Sequence, residues 1–220
     1  MKLADYSFID IHTHAVKSSI AFQILNISTT EPLLPPSDIP FSCGIHPWYL
    51  TKENEAQSFK RLEEWIKYPN CIALGECGLD KIQGPSLDHQ MAVFEKQIAL
   101  AITCQKPMIL HVVKAHQELL SLKVKQPEKM ILHGFNKKRE VAEKLIDYGF
   151  NVSIGHAVLS NESLMDTVKN IPLNQLFLET DDQAQLNISE IYAAVASIKG
   201  LAIQELQREI KNNYIRVFNE

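Results

Sequence analysis

The chain has 220 residues, of which 45% are hydrophobic and 22% are charged, and its 22 Lys and Arg against 26 Asp and Glu leave a formal net charge of −4. This composition is typical of a globular protein and excludes the disordered, fibrous and disulfide-stapled classes. The mildly acidic balance argues against nucleic-acid binding through net charge alone, although a local basic patch is compatible with it. The length is near the lower end for an eight-stranded α/β barrel, which typically has about 250 residues.

The sequence contains no sign of membrane association. No window reaches the roughly 18 uninterrupted apolar residues of a membrane span, and residues 1–7 contain no apolar signal core. We therefore expect a cytoplasmic protein. Its four cysteines form no C-x-x-C pair and are expected to be reduced and mostly buried.

Short apolar runs alternate with helical patterns along the whole chain. Most of these runs are continuously apolar, which is typical of parallel strands that are covered on both faces. The eight predicted strands are Phe8–His12, Phe22–Ile27, Phe41–Ile45, Cys71–Glu76, Met108–Val113, Met130–His133, Phe150–Ile154 and Gln175–Glu179.

The predicted helices lie between and after these strands. The clearest has one apolar face, with steps of four, three, four and three residues, made of Leu87, Met91, Phe94, Ile98 and Ala101. The other predicted helical segments are Ala56–Tyr68, Ala115–Val124, Arg139–Tyr148, Glu162–Lys169 and a long C-terminal stretch from about Ser189 to Phe218.

The alternation of strands and helices predicts an α/β fold with a parallel sheet and right-handed crossovers. Eight strands favour a TIM-type (β/α)8 barrel that occupies residues 1–220 as a single domain. A doubly wound open sheet is the alternative, but the Gly-rich phosphate loop that usually marks it is absent. The segment Ala15–Ala21 is too short for a crossover helix, so either the barrel lacks the helix between strands 1 and 2 or one of these strands is misread. The Pro-rich segment Glu31–Pro40 predicts a rigid loop between strands 2 and 3.

Imidazole and carboxylate side chains occur at the carboxyl ends of five predicted strands, and in a parallel barrel these ends meet on the face that carries the active site. Taken singly, each histidine is also compatible with a solvated strand end or a hydrogen-bonded core position. Together the side chains form a ligand set for one divalent metal, or for two metals a few ångströms apart. The candidate metal ligands are His12, His14, Glu76, His111, His133 and Asp181.

The sequence resembles the TatD-related metal-dependent deoxyribonucleases and hydrolases. The resemblance extends over nearly the whole chain and includes single positions at Gln90, Phe94 and Gln97. Its motifs are FIDIHTH at residues 8–14, GIHP at 44–47, GECGLD at 75–80, the run 107–111, LHGF at 132–135, LETD at 178–181 and NYIRVF at 213–218.

The resemblance implies two divalent metal ions (Mg²⁺, Mn²⁺ or Zn²⁺) and hydrolysis of phosphodiesters, often from the 3′ end of DNA. It implies that His12 and His14 with Asp181 hold one metal, that Glu76 bridges both metals, and that His111 and His133 hold the second. Asp181 and Glu76 are the expected catalytic residues, with Asp181 as general base because it can orient a water while touching a metal. We expect a phosphodiester substrate, with DNA ends as candidates, and no stable protein partner.

The sequence departs from the family around the substrate. Val113 stands where several members carry an Arg that would meet a substrate phosphate, and the loop after Asp181 is shortened. The charge run that begins at Lys137 either replaces the lost phosphate contacts or faces solvent. The side chains expected to contact substrate are His46, Lys114, Lys137 and His156. Trp and Tyr residues form no stripe that would suggest base stacking.

Two alternatives to a nuclease follow from these departures. A small-molecule phosphomonoesterase or an amidohydrolase-like C–N or ester hydrolase would use the same metals, and the added carboxylate of Asp182 favours a substrate smaller than a polyanion. A metal-binding or scaffold protein that has lost its substrate site is the third hypothesis, although the intact ligand set argues against it.

Overall fold

The computed structural model describes residues 3–16, 20–30, 34–183 and 185–218. Eight strands form a single parallel sheet in which each strand pairs with the next along the chain. The sheet is the nearly closed TIM-type barrel that the sequence predicted. The strands are β1 Phe8–Thr13, β2 Ala21–Ser28, β3 Phe41–Gly44, β4 Cys71–Asp80, β5 Met108–Val113, β6 Met130–Leu132, β7 Asn151–Ile154 and β8 Leu176–Leu178.

Seven helices cover the described part of the barrel, and their bounds are α1 Glu55–Trp65, α2 Leu87–Cys104, α3 His116–Ser121, α4 Arg139–Tyr148, α5 Glu162–Asn170, α6 Ile188–Lys199 and α7 Ile203–Phe218. The prediction of one long C-terminal helical stretch was wrong, because α6 ends at Gly200. This residue has φ +67°, and its N–H bonds to the carbonyls of Ala196 and Ser197. Such a left-handed residue closes a helix at little steric cost only when it is glycine.

The connections on both sides of β2 contain no helix among their described residues, which are 14–16, 20, 29–30 and 34–40. The sequence predicted the first of these losses. In the second, Pro35, Pro36 and Pro40 oppose a helix because each removes a backbone donor. The C-terminal helix α7 covers part of the exposed face instead, since the buried ring of Tyr214 packs edge-on against Phe22 at 5.3 Å between centroids.

The barrel closes between β1 and the chain beyond β8, a junction that we call the seam. Thr13 and Asp181 form an isolated parallel bridge, and the N–H of Asp181 donates to the carbonyl of His12 at 2.9 Å. Deeper in the seam, the buried carboxylate of Asp10 accepts both the backbone N–H of Thr180 at 2.9 Å and its hydroxyl at 2.7 Å. Burial raises the pKa of Asp10 to about 6, against the lowering effect of these hydrogen bonds. The seam therefore depends on side chains where the β1–β8 ladder is short.

The described part of the chain contains no helix with both the length and the apolar composition needed to cross a bilayer. The four cysteines are free, and Cys43, Cys71 and Cys77 are buried, as expected from their spacing.

The hydroxyl of Tyr192 on α6 completes the seam at the other end of β1. It accepts the N–H of Ile9 and donates to the carbonyl of the same residue, both at 3.1 Å. We predict that Tyr192→Phe keeps the fold but lowers the free energy of unfolding by about 1–3 kcal/mol, because both buried backbone groups lose their partner. The loss corresponds to about 2–4 °C in Tm per kcal/mol for a chain of this size. Thermal unfolding beside the exposed control Tyr68→Phe checks this, and equal Tm values would contradict it.

Candidate metal centre

The six predicted ligands lie together at the carboxyl ends of the strands. His12, Glu76 and His111 belong to β1, β4 and β5. His14 and His133 directly follow β1 and β6, and Asp181 lies three residues beyond the end of β8. A cavity of about 310 Å³ opens over them, and all but the fully buried His12 line its wall. The cavity is lined by His14, Asn26, Ser28, His46, Trp48, Tyr49, Glu76, His111, His133, Asp181 and Asp182.

The carboxylate of Glu76 is the centre of this arrangement, and it is only 5% exposed. Its Oε1 atom lies 2.7 Å from Nε2 of His133, 2.9 Å from Nδ1 of His111 and 3.0 Å from Nε2 of His46. Three imidazoles therefore converge on one oxygen. His46, which the sequence assigned to substrate binding, is as close to Glu76 as the predicted ligand His111 is.

The second oxygen of Glu76 faces a different group of side chains. Oε2 lies 3.4 Å from Nε2 of His12 and 3.8 Å from Nε2 of His14, and it accepts the side-chain amide of Asn26 at 3.2 Å. Oδ1 of Asp181 lies 3.4 Å from Nε2 of both histidines. The two oxygens of one carboxylate thus belong to two separate clusters of donors.

The charges of these groups are strongly coupled. Burial alone would raise the pKa of Glu76, but the charge of His133 and the neighbouring imidazoles of His111 and His12 hold it well below its usual value. Burial and the charge of His133 would lower the pKa of His12, yet the carboxylates of Asp181 and Glu76, each 3.4 Å from its Nε2, raise it to about 9. The pKa of His133 is likewise well above its usual value, because Glu76 and Glu179 outweigh its burial. In the absence of metal, protons on these imidazoles compensate the carboxylates.

Two acidic residues support the histidines from behind. Oδ2 of Asp80 lies 3.0 Å from Nε2 of His111 and accepts the indole N–H of Trp48 at 2.6 Å. Oε1 of the fully buried Glu179 lies 3.4 Å from Nδ1 of His133. A carboxylate on the far ring nitrogen fixes the tautomer and orientation of a metal-binding histidine.

The sequence analysis missed three supporting residues, which are Asn26, Asp80 and Glu179. Asp80 and Glu179 belong to motifs that were noted, and Asn26 is a half-buried polar residue of β2, which also contains Gln23 and Ser28. A polar side chain within a mostly buried strand was the available signal, because such side chains need partners. Asn26 does have them, since its Oδ1 also accepts the backbone N–H of Glu76 at 2.9 Å.

Gly78, two residues after Glu76, allows β4 and β5 to approach closely enough to form this centre. It has φ +143°, and a Cβ at this position would collide with the carbonyl oxygen of His111 on β5. This constraint explains why β4 has a glycine at this position.

The donor set fits divalent metal ions. Among the described residues, neither ring nitrogen of the buried His12 has a hydrogen-bond partner, and Nδ1 of His133 has none. Nitrogen and carboxylate atoms within 4.8 Å of one another form four overlapping groups of three residues. These groups are His12–Glu76–His133, His12–His14–Asp181, His46–Glu76–His111 and His133–Glu179–Asp181.

The predicted substrate contacts are placed differently from one another. Lys137 lines a second cavity of about 260 Å³, together with His116, and this cavity shares Trp48, His111, His133 and Asp181 with the first. Lys114 and His156 are exposed and line neither cavity. Of the four, the structure therefore brings only His46 and Lys137 to the walls of the centre.

Comparisons of this chain with known proteins point to one family. A family model described as TatD related DNase matches residues 9–219. The metal-dependent hydrolase YcfH of Escherichia coli K12 is 29% identical over 204 residues, which cover 83% of this chain and 74% of YcfH. The human 3′-5′ RNA nuclease TATDN2 is 34% identical over 148 residues, which cover 63% of this chain and 19% of that protein.

A solved structure agrees with these sequence matches. YjjV, a TatD homologue from Escherichia coli K12, superimposes with a TM-score of 0.80 at 21% identity and covers 97% of this chain and 98% of its own. At this identity the likeness shows the barrel fold. Because the family model matches nearly the whole chain, the protein belongs to the TatD-related DNase family, and it is a metal-dependent hydrolase that acts on ester bonds.

Proposed function

We propose that this protein hydrolyses phosphodiester bonds, as a DNase-like 3′-5′ exonuclease or phosphodiesterase, with two divalent cations. The observation that carries the proposal is the Glu76 carboxylate, whose two oxygens face two separate clusters of imidazoles. One carboxylate between two donor clusters is the arrangement expected of a residue that bridges two metals. Sites with two metals a few ångströms apart are typical of nucleases and phosphatases.

In this proposal His12, His14 and Asp181 would hold one cation, His111 and His133 would hold the other, and Glu76 would supply a carboxylate oxygen to each. When bound, such cations stabilise charge on a phosphoryl oxygen and lower the pKa of a bound water. The imidazole-rich set favours Zn²⁺ over Mg²⁺, which prefers oxygen ligands. Mn²⁺ is the remaining candidate, and metal availability decides as much as affinity does.

Asp181 is the best placed general base. Its side chain is 26% exposed and lines both cavities, whereas the other carboxylate of the centre, Glu76, is enclosed by imidazoles. Burial would raise the pKa of Asp181, but the imidazoles of His12 and His14, each 3.4 Å from its Oδ1, lower it, so the group is ionised at neutral pH. An ionised carboxylate that reaches the cavity can accept the proton of an attacking water.

A lysine lies beside the centre. Lys137 lines the second cavity together with His116, whose pKa is lowered by burial and by the charge of Lys137. Lysine binds phosphate as a point charge. Lys137 therefore supports an anionic substrate where Val113 offers no charge.

A smaller substrate is the second candidate. Asp182 is exposed on the wall of the first cavity, where its charge opposes a polyanion. This position favours a phosphomonoesterase or an amidohydrolase-like reaction on the same metals. The family is named for a DNase and the similar protein TATDN2 is a 3′-5′ RNA nuclease, and both favour the first proposal instead.

A substrate panel separates these candidates. Short single-stranded DNA and RNA oligonucleotides labelled at the 5′ end, methyl p-nitrophenyl phosphate, p-nitrophenyl phosphate and small aryl amides are compared with Zn²⁺, Mn²⁺ and Mg²⁺. We expect stepwise shortening of an oligonucleotide from its 3′ end and turnover of the methyl diester. Faster turnover of the monoester or of an amide than of any diester would overturn the proposal.

We predict that Asp181→Asn lowers kcat on the methyl diester by about 10²–10⁴-fold, the usual contribution of a general base. The matched control is Asp182→Asn, which removes the same charge from the wall of the first cavity. Among the described residues the Asp182 carboxylate bonds to the side chain of Gln183 and to none of the histidines, so its kcat should stay within a few-fold of the wild type. Steady-state kinetics at saturating metal provides the measurement. Retention of more than a tenth of the activity in Asp181→Asn would be incompatible with the assigned role.

We also predict that metal binding releases protons. At pH 7 the raised pKa values of His12, at about 9, and of His133 keep both imidazoles protonated before the metal binds. Because only neutral imidazole binds a metal, each of the two should release about one proton. The number of protons released declines as the pH rises through about 9, because above this pH most His12 is neutral before the metal binds. Titration calorimetry with Zn²⁺ in buffers of different ionisation enthalpy measures it, and a binding enthalpy independent of the buffer would refute it.

A further inference from the structure

Two aromatic side chains form part of the cavity wall without a role in the chemistry described so far. Trp48 and Tyr49 follow the GIHP motif in a short 3-10 turn, Pro47–Tyr49, and both line the cavity that holds Glu76. Trp48 is 38% exposed and Tyr49 is 47% exposed, which is high for large aromatic rings beside a buried polar centre. We call these two residues the aromatic pair.

The aromatic pair is held rigidly. The indole N–H of Trp48 donates to Asp80, and its ring meets the rings of His46 and His111 edge-on, at 5.0 and 5.2 Å between centroids. The backbone N–H of Trp48 donates to Nδ1 of His46 at 3.1 Å. The carbonyl of Tyr49 accepts the side-chain amide of Asn54 at 2.7 Å. The indole of Trp48 and the backbone of Tyr49 are thus held in place, and the ring of Tyr49 lies 5.3 Å from that of His46 between centroids.

The position of the aromatic pair relates it directly to the reaction. Trp48 contacts His46 and His111, both of which lie within hydrogen-bonding distance of Oε1 of Glu76. Trp48 also stands between the two cavities and lines both of them. A group bound on these rings would therefore be a close neighbour of the bond that is hydrolysed. The rings of Trp48 and Tyr49 are inclined by 78° at a centroid distance of 6.4 Å, so a flat group stacks on one of them instead of being sandwiched between both.

We propose that the aromatic pair is a subsite for an unpaired nucleobase next to the scissile phosphate. This inference rests on the proposed function and narrows the substrate from phosphodiesters in general to nucleotidyl esters with an accessible base. A base is the flat, polarisable group that a phosphodiester substrate carries one sugar away from its phosphate, and aromatic side chains bind it through stacking without selecting a sequence. The subsite also requires single strands, because a base within a duplex has no free face.

The test compares substrates with and without the base. Single-stranded oligonucleotides carry either a normal 3′ end or one abasic residue, placed on one or the other side of the terminal phosphodiester. Stacking on an aromatic side chain corresponds to about 5- to 150-fold in kcat/KM for each base. We expect the wild type to lose this factor on one of the abasic substrates. We expect Tyr49→Leu or Trp48→Leu to reduce the penalty to less than about twofold, because the base then has no ring to bind.

Two further variants make the result interpretable. Tyr49→Phe keeps the ring and should keep the abasic penalty, whereas the remote exposed variant Tyr68→Leu should behave as the wild type does. The ratio between the two substrates is used because it cancels any general loss of activity in a variant. An equal rate on normal and abasic substrates in the wild type would overturn the inference, as would a full penalty in both leucine variants. Failure to cleave any diester would instead overturn the proposed function.

Discussion

The burial of a single carboxylate organises this active-site face. An ionised Glu76 at 5% exposure would be very costly without compensation, and the imidazoles of His46, His111 and His133 provide it on one oxygen. Each of these histidines comes from a different part of the barrel, so the compensation exists only when the strands have closed around β4. The carboxylates in turn keep His12 and His133 protonated, and a divalent cation that binds to these imidazoles displaces their protons.

The seam between β1 and β8 is the second requirement. Asp181 approaches His12 and His14 only because the chain after β8 pairs with the end of β1. The ladder there is short, so Asp10 and Tyr192 supply hydrogen bonds that a longer ladder would make through the backbone. Fold stability and metal-site geometry are therefore coupled at this junction. Damage to the seam should move Asp181 away from His12 and His14, the two histidines near Oε2 of Glu76.

The sequence predicted the barrel, its eight strands and the position of the six ligands at the strand ends, because continuous apolar runs and polar ends follow directly from parallel topology. It did not predict the break at Gly200, where one backbone conformation divides a pattern that is helical on both sides. Nor did it place the partners of the ligands. Asn26 contacts Glu76, and Glu179 lies beside His133, only because the strands of the barrel come together. No spacing along the chain reveals such contacts. For the same reason, Trp48 and Tyr49 form no stripe, yet the fold brings both to the cavity.

The shortened connections of this barrel affect the surroundings of a substrate and leave the predicted metal ligands in place. Material is missing from the barrel around β2, where the described residues of both connections form no helix, and in the brief loop after Asp181. No predicted ligand is lost with it. In the proposed function, the side chains available to a substrate on the cavity walls include Tyr49 and Trp48 on the connection after β3 and Lys137 on the connection after β6. The walls thus offer stacking on one side and charge on the other. A single nucleotide at a chain end needs both, whereas a simple phosphate monoester leaves the aromatic surface without use.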